Sequence, residues 1–430
     1  MSESARVVIF YKSIAQYRRP FYELLRKRLA EDGIALEVVY GAPVSYEVAR
    51  RDRIDLPWGH KTRTRTFRVA GRELYWQGGL SRVRRGDLVV AEQASKLLLN
   101  YVLFALQQVG FIRLALWGHG RTIRTRRPNP IADALRTFTS RRVTWWFAYN
   151  ERSAAFVREL GFPDERITRL QNAIDMQALI AAAAAVTPAR RDAVRRELGL
   201  SGAHVCVFVG AMYEDKRMPF LLEACRAIRI RIPDFEMIFV GDGPDGALVR
   251  AEAARHDWMH CVGPRFDDER VPYMLLATLS LMPGGVGLGV LDAFALGVPL
   301  VTTSVPSHGP EIEYLEDGVN GLVVKDASSP RAFGDAVASA LQNEALLAKL
   351  GAGCERARAR YTIEEMVERF ADGVRRALGV TARPADDAAP PAGFHHLFLA
   401  SGDDLVRYVI CPQATAQFQQ PAAAVAKTER

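Results

Sequence analysis

The residues best suited to bind a ligand are Asp292 and the four glycines before it, at positions 284, 285, 287 and 289. They follow a short apolar strand and open a helix that is predicted to begin near Gly287 and to stop at Gly297. Helix N-termini leave N–H groups unpaired and attract phosphate, and glycines let the backbone approach an anion closely. A carboxylate in the first turns can reach a sugar hydroxyl. The segment therefore predicts a nucleotide site, and a nucleotide-sugar in particular; a tightly packed strand–turn–helix is the alternative.

Lys216 and Arg217 form a second candidate group, in the loop after the predicted strand Val205–Val209 that begins with Gly210. Two cations at the carboxyl end of a parallel strand can neutralise a diphosphate and the charge of its leaving group. Pairing with Glu214 or Asp215 is the alternative. The turn Gly241–Gly243 follows the next strand, and it either lines the base or ribose pocket or is a plain turn.

The first half of the chain offers its own candidates at strand ends. His119 lies between Gly118 and Gly120, so its side chain is free to enter a cleft. The loop Gln16–Pro20 precedes a helix and is predicted to attract anions. Glu92 follows another strand and can hydrogen-bond an acceptor hydroxyl. The alternatives are a structural histidine and solvated loop residues.

Apolar runs that alternate with helical stretches place these residues in the carboxyl-end loops of parallel strands. Two doubly wound α/β domains are predicted, with a boundary near residues 190–200 and a cleft between them. The predicted strands are Val7–Tyr11, Leu36–Tyr40, Leu88–Ala91, Leu114–Trp117 and Trp145–Tyr149, then Val205–Val209, Met237–Val240, Leu279–Met282, Leu300–Thr303 and Leu322–Val324.

Charge is distributed unevenly along the 430 residues. Residues 1–175 contain 31 lysines and arginines against 17 aspartates and glutamates, whereas the whole chain carries a net charge of +8. The basic excess lies in Arg50–Arg53, Lys61–Arg68, Arg82–Arg85 and Arg121–Arg127. Such a surface should face a lipid head group, a lipid-linked phosphate or nucleic acid, and a merely solvated surface is the alternative.

The cysteines and the apolar runs indicate the compartment. Five dispersed cysteines without a C-x-x-C pair fit a reducing environment, and no zinc-ligand spacing occurs. No signal peptide is recognised, and the run Leu97–Trp117 is too interrupted by polar residues for a membrane span. We therefore expect a cytoplasmic protein.

Together these motifs resemble the family 4 retaining glycosyltransferases (glycosyl transferases group 1), which have the GT-B fold. The resemblance covers roughly residues 6–378 and rests on the order of the motifs. They are Tyr17–Pro20, Gly118–Gly120, Asn172–Asp175, Lys216-Arg217, Gly241–Pro244, Gly287–Pro299, and Glu311 with Asp317–Gly321.

The resemblance implies three segments: an acceptor-binding Rossmann-like domain (1–195), a donor-binding one (196–362), and a helix crossing back to the first domain (363–379). From Val380 the composition shifts to alanine and proline, which predicts a linker and a partly disordered extension (380–430). It implies no metal, no cofactor beyond the nucleotide-diphosphate sugar as co-substrate, and no nucleic-acid partner. The catalytic residues expected are His119, Lys216 and Arg217, and the acceptor-binding residues Tyr17, Arg18, Arg19 and Glu92. The donor-binding residues expected are Gly210, Gly241, Gly243, Gly285, Val286, Gly287, Leu288, Gly289 and Asp292.

Two departures from the family pattern stand out. The family has two glutamates eight residues apart, whereas this chain has Gly284 and Asp292. It also often has an arginine after the first glycine of the second domain, where this chain has Ala211; Arg217 is the expected substitute.

The sequence thus predicts retaining, metal-independent transfer of a sugar from a nucleotide-diphosphate sugar to a glycan or lipid-linked acceptor. The setting expected is cell-surface polysaccharide or glycolipid synthesis, with the basic first domain held peripherally at the inner membrane face. The alternatives are a nucleotide-sugar epimerase of GT-B fold and a catalytically silent nucleotide-sugar-binding protein. A dinucleotide oxidoreductase is disfavoured because no G-x-G-x-x-G follows Val7–Tyr11.

Overall fold

The structure is a computed structural model that describes residues 5–43, 53–69, 72–120, 130–380, 395–401 and 404–410. Residues 1–381 form one compact unit, and residues 382–430 form another. The basic cluster Arg121–Arg127 lies outside the described residues, as do Arg50–Asp52 and most of the C-terminal extension.

A seven-stranded parallel sheet forms the centre of the first domain, in the order β3-β2-β1-β6-β7-β8-β9. Its strands are β1 (Arg6–Tyr11), β2 (Ala35–Gly41), β3 (His60–Thr62), β6 (Leu88–Glu92), β7 (Arg113–Gly118), β8 (Trp145–Ala148) and β9 (Ile167–Arg169). A separate antiparallel pair, β4 (Thr64–Val69) and β5 (Arg72–Gln77), lies between β3 and β6 in the chain. The order of the sheet reverses between β1 and β6, which is where ligands bind in doubly wound folds.

The second domain repeats this plan with six parallel strands in the order β12-β11-β10-β13-β14-β15. Its strands are β10 (His204–Val209), β11 (Phe235–Val240), β12 (Met259–Gly263), β13 (Leu279–Leu281), β14 (Leu300–Thr303) and β15 (Gly321–Val324). Every residue of β11 is buried, as expected of a strand covered on both faces. The prediction of two doubly wound α/β domains is confirmed.

Helices cover both faces of each sheet. In the first domain they are α1 (Arg19–Glu31), α2 (Leu99–Gln108), α3 (Pro130–Ser140) and α4 (Glu151–Glu159). Helix α5 (Met176–Ala185) packs against the second-domain segments Asp267–Arg270 and Gly289–Ala295. The helices continue with α6 (Pro188–Leu198), α7 (Met218–Arg231), α8 (Gly246–Ala253), α9 (Val271–Met274), α10 (Gly289–Ala295), α11 (Pro330–Leu341), α12 (Glu344–Arg360) and α13 (Ile363–Leu378).

The last helix, α13, packs on the first domain. The Thr362 side chain accepts a hydrogen bond from the Glu365 amide at its start, and Gly379 ends it in the left-handed conformation. Phe370 stacks on Phe147 of β8, with ring centroids 4.2 Å apart, and meets Trp117 at 5.2 Å. The chain thus returns to its first domain after completing the second.

In the described part of the second unit, β16 (His395–Ser401) and β17 (Asp404–Ile410) form an antiparallel pair. Among the described residues, no helix combines the length and the apolar content that crossing a bilayer requires.

Candidate active site

A cavity of about 550 Å³ lies between the two α/β domains. Strand-end loops of the first domain form most of its wall, and loops after β13 and β14 form the rest. The residues that line it are Lys12, Tyr17, Arg18, Tyr75, Glu92, Gln93, Ala94, Ser95, Lys96, Leu97, His119, Arg136, Tyr149, Asn172, Leu288, Ser307, Gly309, Pro310 and Glu311.

Three of the four residues expected to bind the acceptor share this cavity. Tyr17 and Arg18 come from the loop after β1, and Glu92 ends β6, so both sides of the point where strand order reverses contribute. The Glu92 carboxylate accepts a hydrogen bond from the Lys12 amide at 3.1 Å. Arg19 does not line the cavity, because it starts α1 with its side chain exposed.

Arg18 is buried to 2 % exposure among aromatic rings. Its guanidinium carbon lies 5.1 Å from the Trp117 ring centroid, 5.2 Å from that of Tyr17 and 5.8 Å from that of Tyr149. Its Nε has no hydrogen-bond partner, and Nη1 donates only to the Met366 sulfur, at 3.7 Å.

His119 is placed in the same cavity by a turn that requires its flanking glycines. A Cβ at Gly118 would lie 2.6 Å from the Gln93 Cβ, and Gly120 has a φ of +76°. The Gly120 amide donates to Gln93 Oε1 at 2.9 Å, which fixes the turn.

The imidazole of His119 is neutral at physiological pH. Burial, and then the nearby charge of Arg18, lower its pKa to about 4. Its ring lies 4.4 Å from that of Tyr149, and Nδ1 is buried without a partner. A neutral ring with an unpartnered nitrogen can hydrogen-bond a sugar hydroxyl without adding charge to the site.

Lys216 and Arg217 lie against the glycine-rich segment and do not line the cavity. Lys216 is 8 % exposed, and its Nζ donates to the Gly285 carbonyl and contacts the Met282 sulfur at 3.4 Å. Arg217, which has a φ of +58°, donates to the Ala327 carbonyl at 2.7 Å.

The absence of a side chain at Gly284 explains why the loop that carries Lys216 can lie so close to the glycine-rich segment. A Cβ at this position would lie 2.0 Å from the Asp215 carbonyl oxygen and 2.7 Å from the Lys216 Cα. The Gly285 amide donates to the same Asp215 oxygen at 2.7 Å. At Gly284, where the resembled family has its first glutamate, the loop that carries Asp215 and Lys216 thus occupies the space of the missing side chain.

Two of the backbone amides that are expected to bind the donor already donate hydrogen bonds within the protein. The Gly285 amide binds Asp215, and the Val286 amide donates to His308 Nδ1 at 3.0 Å. The helix that follows, α10, begins at Gly289 and has seven residues. Of the segment, only Leu288 lines the cavity.

Asp292 is paired with Arg270, which the sequence reasoning did not identify. Arg270 Nη2 donates to Asp292 Oδ1 at 2.9 Å, while burial raises the pKa of the Asp292 carboxyl. The two residues are 22 positions apart in no recognisable motif, so pattern reading offered no signal for the pair.

Of the three remaining glycines, Gly241 and Gly243 lie in close contact with the backbone of the loop that begins at Gly210. A Cβ at Gly241 would lie 1.9 Å from the Gly210 carbonyl oxygen, and one at Gly243 would lie 2.4 Å from that of Met212. Gly210, Gly241 and Gly243 have φ of 150°, 143° and 153°. The observed environment accounts for them as close-packed turns, and none of them lines the cavity.

Glu311 closes the cavity on the second-domain side. It is 6 % exposed, its Oε1 accepts from Asn172 Nδ2 at 2.6 Å, and burial raises its pKa. Its neighbours tie the domains together: Asn150 Nδ2 donates to the Pro310 carbonyl at 2.5 Å, and the Tyr314 hydroxyl donates to the Asn172 carbonyl at 3.0 Å. Asn172 and Glu311 both belong to sequence motifs of the resembled family, but the motifs alone assign neither residue a role.

Comparison with known proteins gives this arrangement its context. Residues 203–343 match the family model described as glycosyl transferases group 1. Alpha-D-kanosaminyltransferase of Streptomyces kanamyceticus is 26% identical over 244 residues, covering 53% of this chain and 59% of that protein. D-inositol 3-phosphate glycosyltransferase of Thermobispora bispora is 27% identical over 232 residues, covering 50% and 52%. The chain thus spans about half the length of the curated relatives it matches.

Solved structures match most of the chain. Anabaena Alr3699/HepE in complex with UDP superimposes with a TM-score of 0.65 at 15% identity, over 86% of this chain and 100% of that one. Sucrose-phosphate synthase from Thermosynechococcus elongatus gives a TM-score of 0.61 at 15% identity, over 87% and 99%. The fold is therefore GT-B, and residues 203–343 of the second domain are similar to the glycosyl transferases group 1 family.

Proposed function

We propose that this protein is a retaining glycosyltransferase that moves a sugar from a nucleotide-diphosphate sugar to an acceptor hydroxyl. One observation carries the proposal: a single cavity joins His119 and Arg18, at strand ends of the first domain, to Leu288 of the glycine-rich segment and Glu311. The HepE structures that share the fold contain UDP or UDP-glucose, which supports a UDP-sugar donor.

The residues suggest how transfer would proceed. As the bond between the anomeric carbon and the diphosphate oxygen breaks, negative charge develops on the leaving group. Lys216 would stabilise it by exchanging the Gly285 carbonyl for a phosphate oxygen. The acceptor oxygen would bond to the anomeric carbon on the same face, and its proton would pass to the departing phosphate oxygen. His119 would orient the transferred sugar.

The decisive experiment incubates the protein with UDP-, GDP- and dTDP-sugars, with and without lipid acceptors, and analyses the products. We expect Lys216→Met to lower transfer by roughly 100-fold, as expected when a preorganised charge is removed. Asp292→Asn should raise the KM for donor. Exposed Lys349→Met and Asp335→Asn are matched controls that keep wild-type rates. Wild-type transfer rates in both Lys216→Met and Asp292→Asn would contradict the proposed glycosyltransferase function.

An epimerase of the same fold is the second candidate, because it needs carboxylates in the cleft and both Glu92 and Glu311 line the cavity. The same assay separates the two functions. An epimerase yields an altered nucleotide-sugar without any acceptor, whereas a transferase releases the nucleotide and forms a new glycoside. A silent nucleotide-sugar-binding protein yields neither.

We further propose that the acceptor is a glycan or lipid-linked saccharide of cell-surface polysaccharide or glycolipid synthesis, reached from the cytoplasmic membrane face. The β4–β5 pair supports this placement: Phe67 and Val69 are 45% and 56% exposed, beside exposed Arg65 and Arg68. Arginine with exposed apolar residues is the combination that binds anionic bilayers.

Sedimentation with anionic vesicles tests the membrane proposal. We expect binding at low salt that weakens at high salt, and weaker binding by a Phe67→Ser/Val69→Ser variant. Ile230→Ser in the second domain, where the side chain is 83% exposed, is the matched control and should bind like wild type. Absence of binding at low salt eliminates the proposal.

A further inference from the structure

Arg18 is a buried cation that forms no ion pair with an acidic side chain among the described residues, although its charge acts on the Glu311 carboxyl across the same cavity, where it opposes the rise in pKa that burial causes. Its Nε is unpaired, Nη1 donates only to a thioether sulfur, and the aromatic rings of Tyr17 and Trp117 lie against its guanidinium. Burying an unpaired guanidinium is costly, and cation–π contacts offset only part of that cost. A protein retains such a group at the wall of a cavity when an incoming anion completes its pairing.

The charges that face the cavity also favour an anion. Arg18, Lys12, Lys96 and Arg136 line it against two carboxylates, Glu92 and Glu311, while His119 is neutral. Among the described residues, the lining therefore has two more basic than acidic side chains. A phosphate monoester, with a charge of about −1.5 to −2 near pH 7, matches that excess better than a single carboxylate does.

The position of Arg18 assigns the anion to the acceptor. All four basic residues of the lining belong to the first domain, and the second-domain residues of the lining, Leu288, Ser307, Gly309, Pro310 and Glu311, include no cation. Lys216 and Arg217, the cations expected to meet the donor diphosphate, lie outside the cavity against the glycine-rich segment.

We propose that Arg18 anchors a phosphate group of the acceptor, held by its guanidinium fork within the ring of Tyr17, Trp117 and Tyr149. The proposal rests on the proposed transferase function for the word acceptor, but the anion site itself does not depend on it. The planar fork binds two phosphate oxygens through parallel N–H bonds in a fixed geometry, which the single ammonium of lysine does not provide.

Phosphate binding measured by ³¹P NMR titration tests the site, with inorganic phosphate as the probe and chloride at equal ionic strength as the blank. Each titration is run with and without saturating UDP. We expect wild type to bind phosphate in both cases, Arg18→Met to bind it at least tenfold more weakly, and Arg18→Lys to lie between them. Arg26→Met is the matched control and should bind like wild type, because Arg26 stacks on Trp58 at 4.6 Å and is exposed outside the cavity.

Thermal unfolding shows that each variant is folded, and Arg18→Met should be at least as stable as wild type because an unpaired buried charge is removed. If Arg18→Met binds phosphate as wild type does, the proposal is overturned. If UDP displaces the phosphate, or UDP is the anion that loses affinity, Arg18 serves the donor and the acceptor assignment is wrong.

Two further arms complete the test. Arg18-dependent binding in solution indicates a soluble phosphorylated acceptor, whereas Arg18-dependent binding only to vesicles that contain phosphatidic acid indicates a lipid-borne phosphate; both support the site. In transfer assays, Arg18→Met should raise the KM for acceptor and leave that for donor unchanged. Arg18-dependent phosphate binding without any sugar transfer would defeat the proposed function and leave the anion site standing.

Discussion

Gly284→Ala is expected to destabilise the second domain by about 3 kcal/mol, the upper part of the range for overpacking. The added Cβ would lie 2.0 Å from the Asp215 carbonyl oxygen and 2.7 Å from the Lys216 carbonyl carbon. These are backbone atoms and cannot turn aside, so the loop that carries Lys216 must move away. Urea unfolding measures the stability, and hydrogen exchange of residues 213–217 reports the loop.

Gly287→Ala is the matched control, because an added Cβ there meets no atom within 4 Å. It should leave stability nearly unchanged. Gly284→Glu, which supplies the carboxylate that the resembled family has here, should destabilise at least as much as Gly284→Ala and should not raise activity. Equal stabilities of the alanine variants at 284 and 287 would contradict the observed packing.

The sequence predicted the fold well where strands are continuous apolar runs. All ten predicted strands are present, with ends shifted by no more than two residues. The missed strands lack such runs: β4 reads TRTFRV and is largely exposed, and β9 has three residues. Helix α12 was also missed, because Gly351 and Gly353 weaken its pattern. Gly353 is there for packing, since a Cβ would lie 1.8 Å from the Val319 carbonyl oxygen.

The candidate site was predictable only as far as topology determines it. Parallel strands end at one edge of a sheet, so Arg18, Glu92 and His119 could be placed together from their positions alone. The orientation of the Lys216 side chain could not be predicted from position alone, because it depends on a loop that packs against Gly284 at contact distance. Nor could the pairing of Asp292 with Arg270, since ion pairs between distant segments follow from packing and leave no local pattern.

His119 is expected to titrate near pH 4 instead of its ordinary value of 6.5. Burial disfavours its charged form, and the Arg18 guanidinium adds repulsion. Between these two pH values, His119 is therefore protonated in the unfolded chain and neutral in the folded chain. The contribution of His119 to the free energy of unfolding is fully present above about pH 6.5. It is lost as the pH falls through 4, and the total loss is about 3 kcal/mol.

Histidine ring resonances followed by NMR from pH 8 to pH 4 measure this directly, and a His119→Asn variant identifies the signal by its loss. The His119 resonance should stay constant down to about pH 5 while its environment remains neutral. Arg18→Met should move the pKa of His119 upward, though not to 6.5, because burial is the larger cause. His60→Asn is a control that removes a different resonance. A His119 signal that titrates near 6.5 in wild type would show that the ring is solvated and charged in the site, which would remove its role as a neutral hydrogen-bonding group beside Arg18.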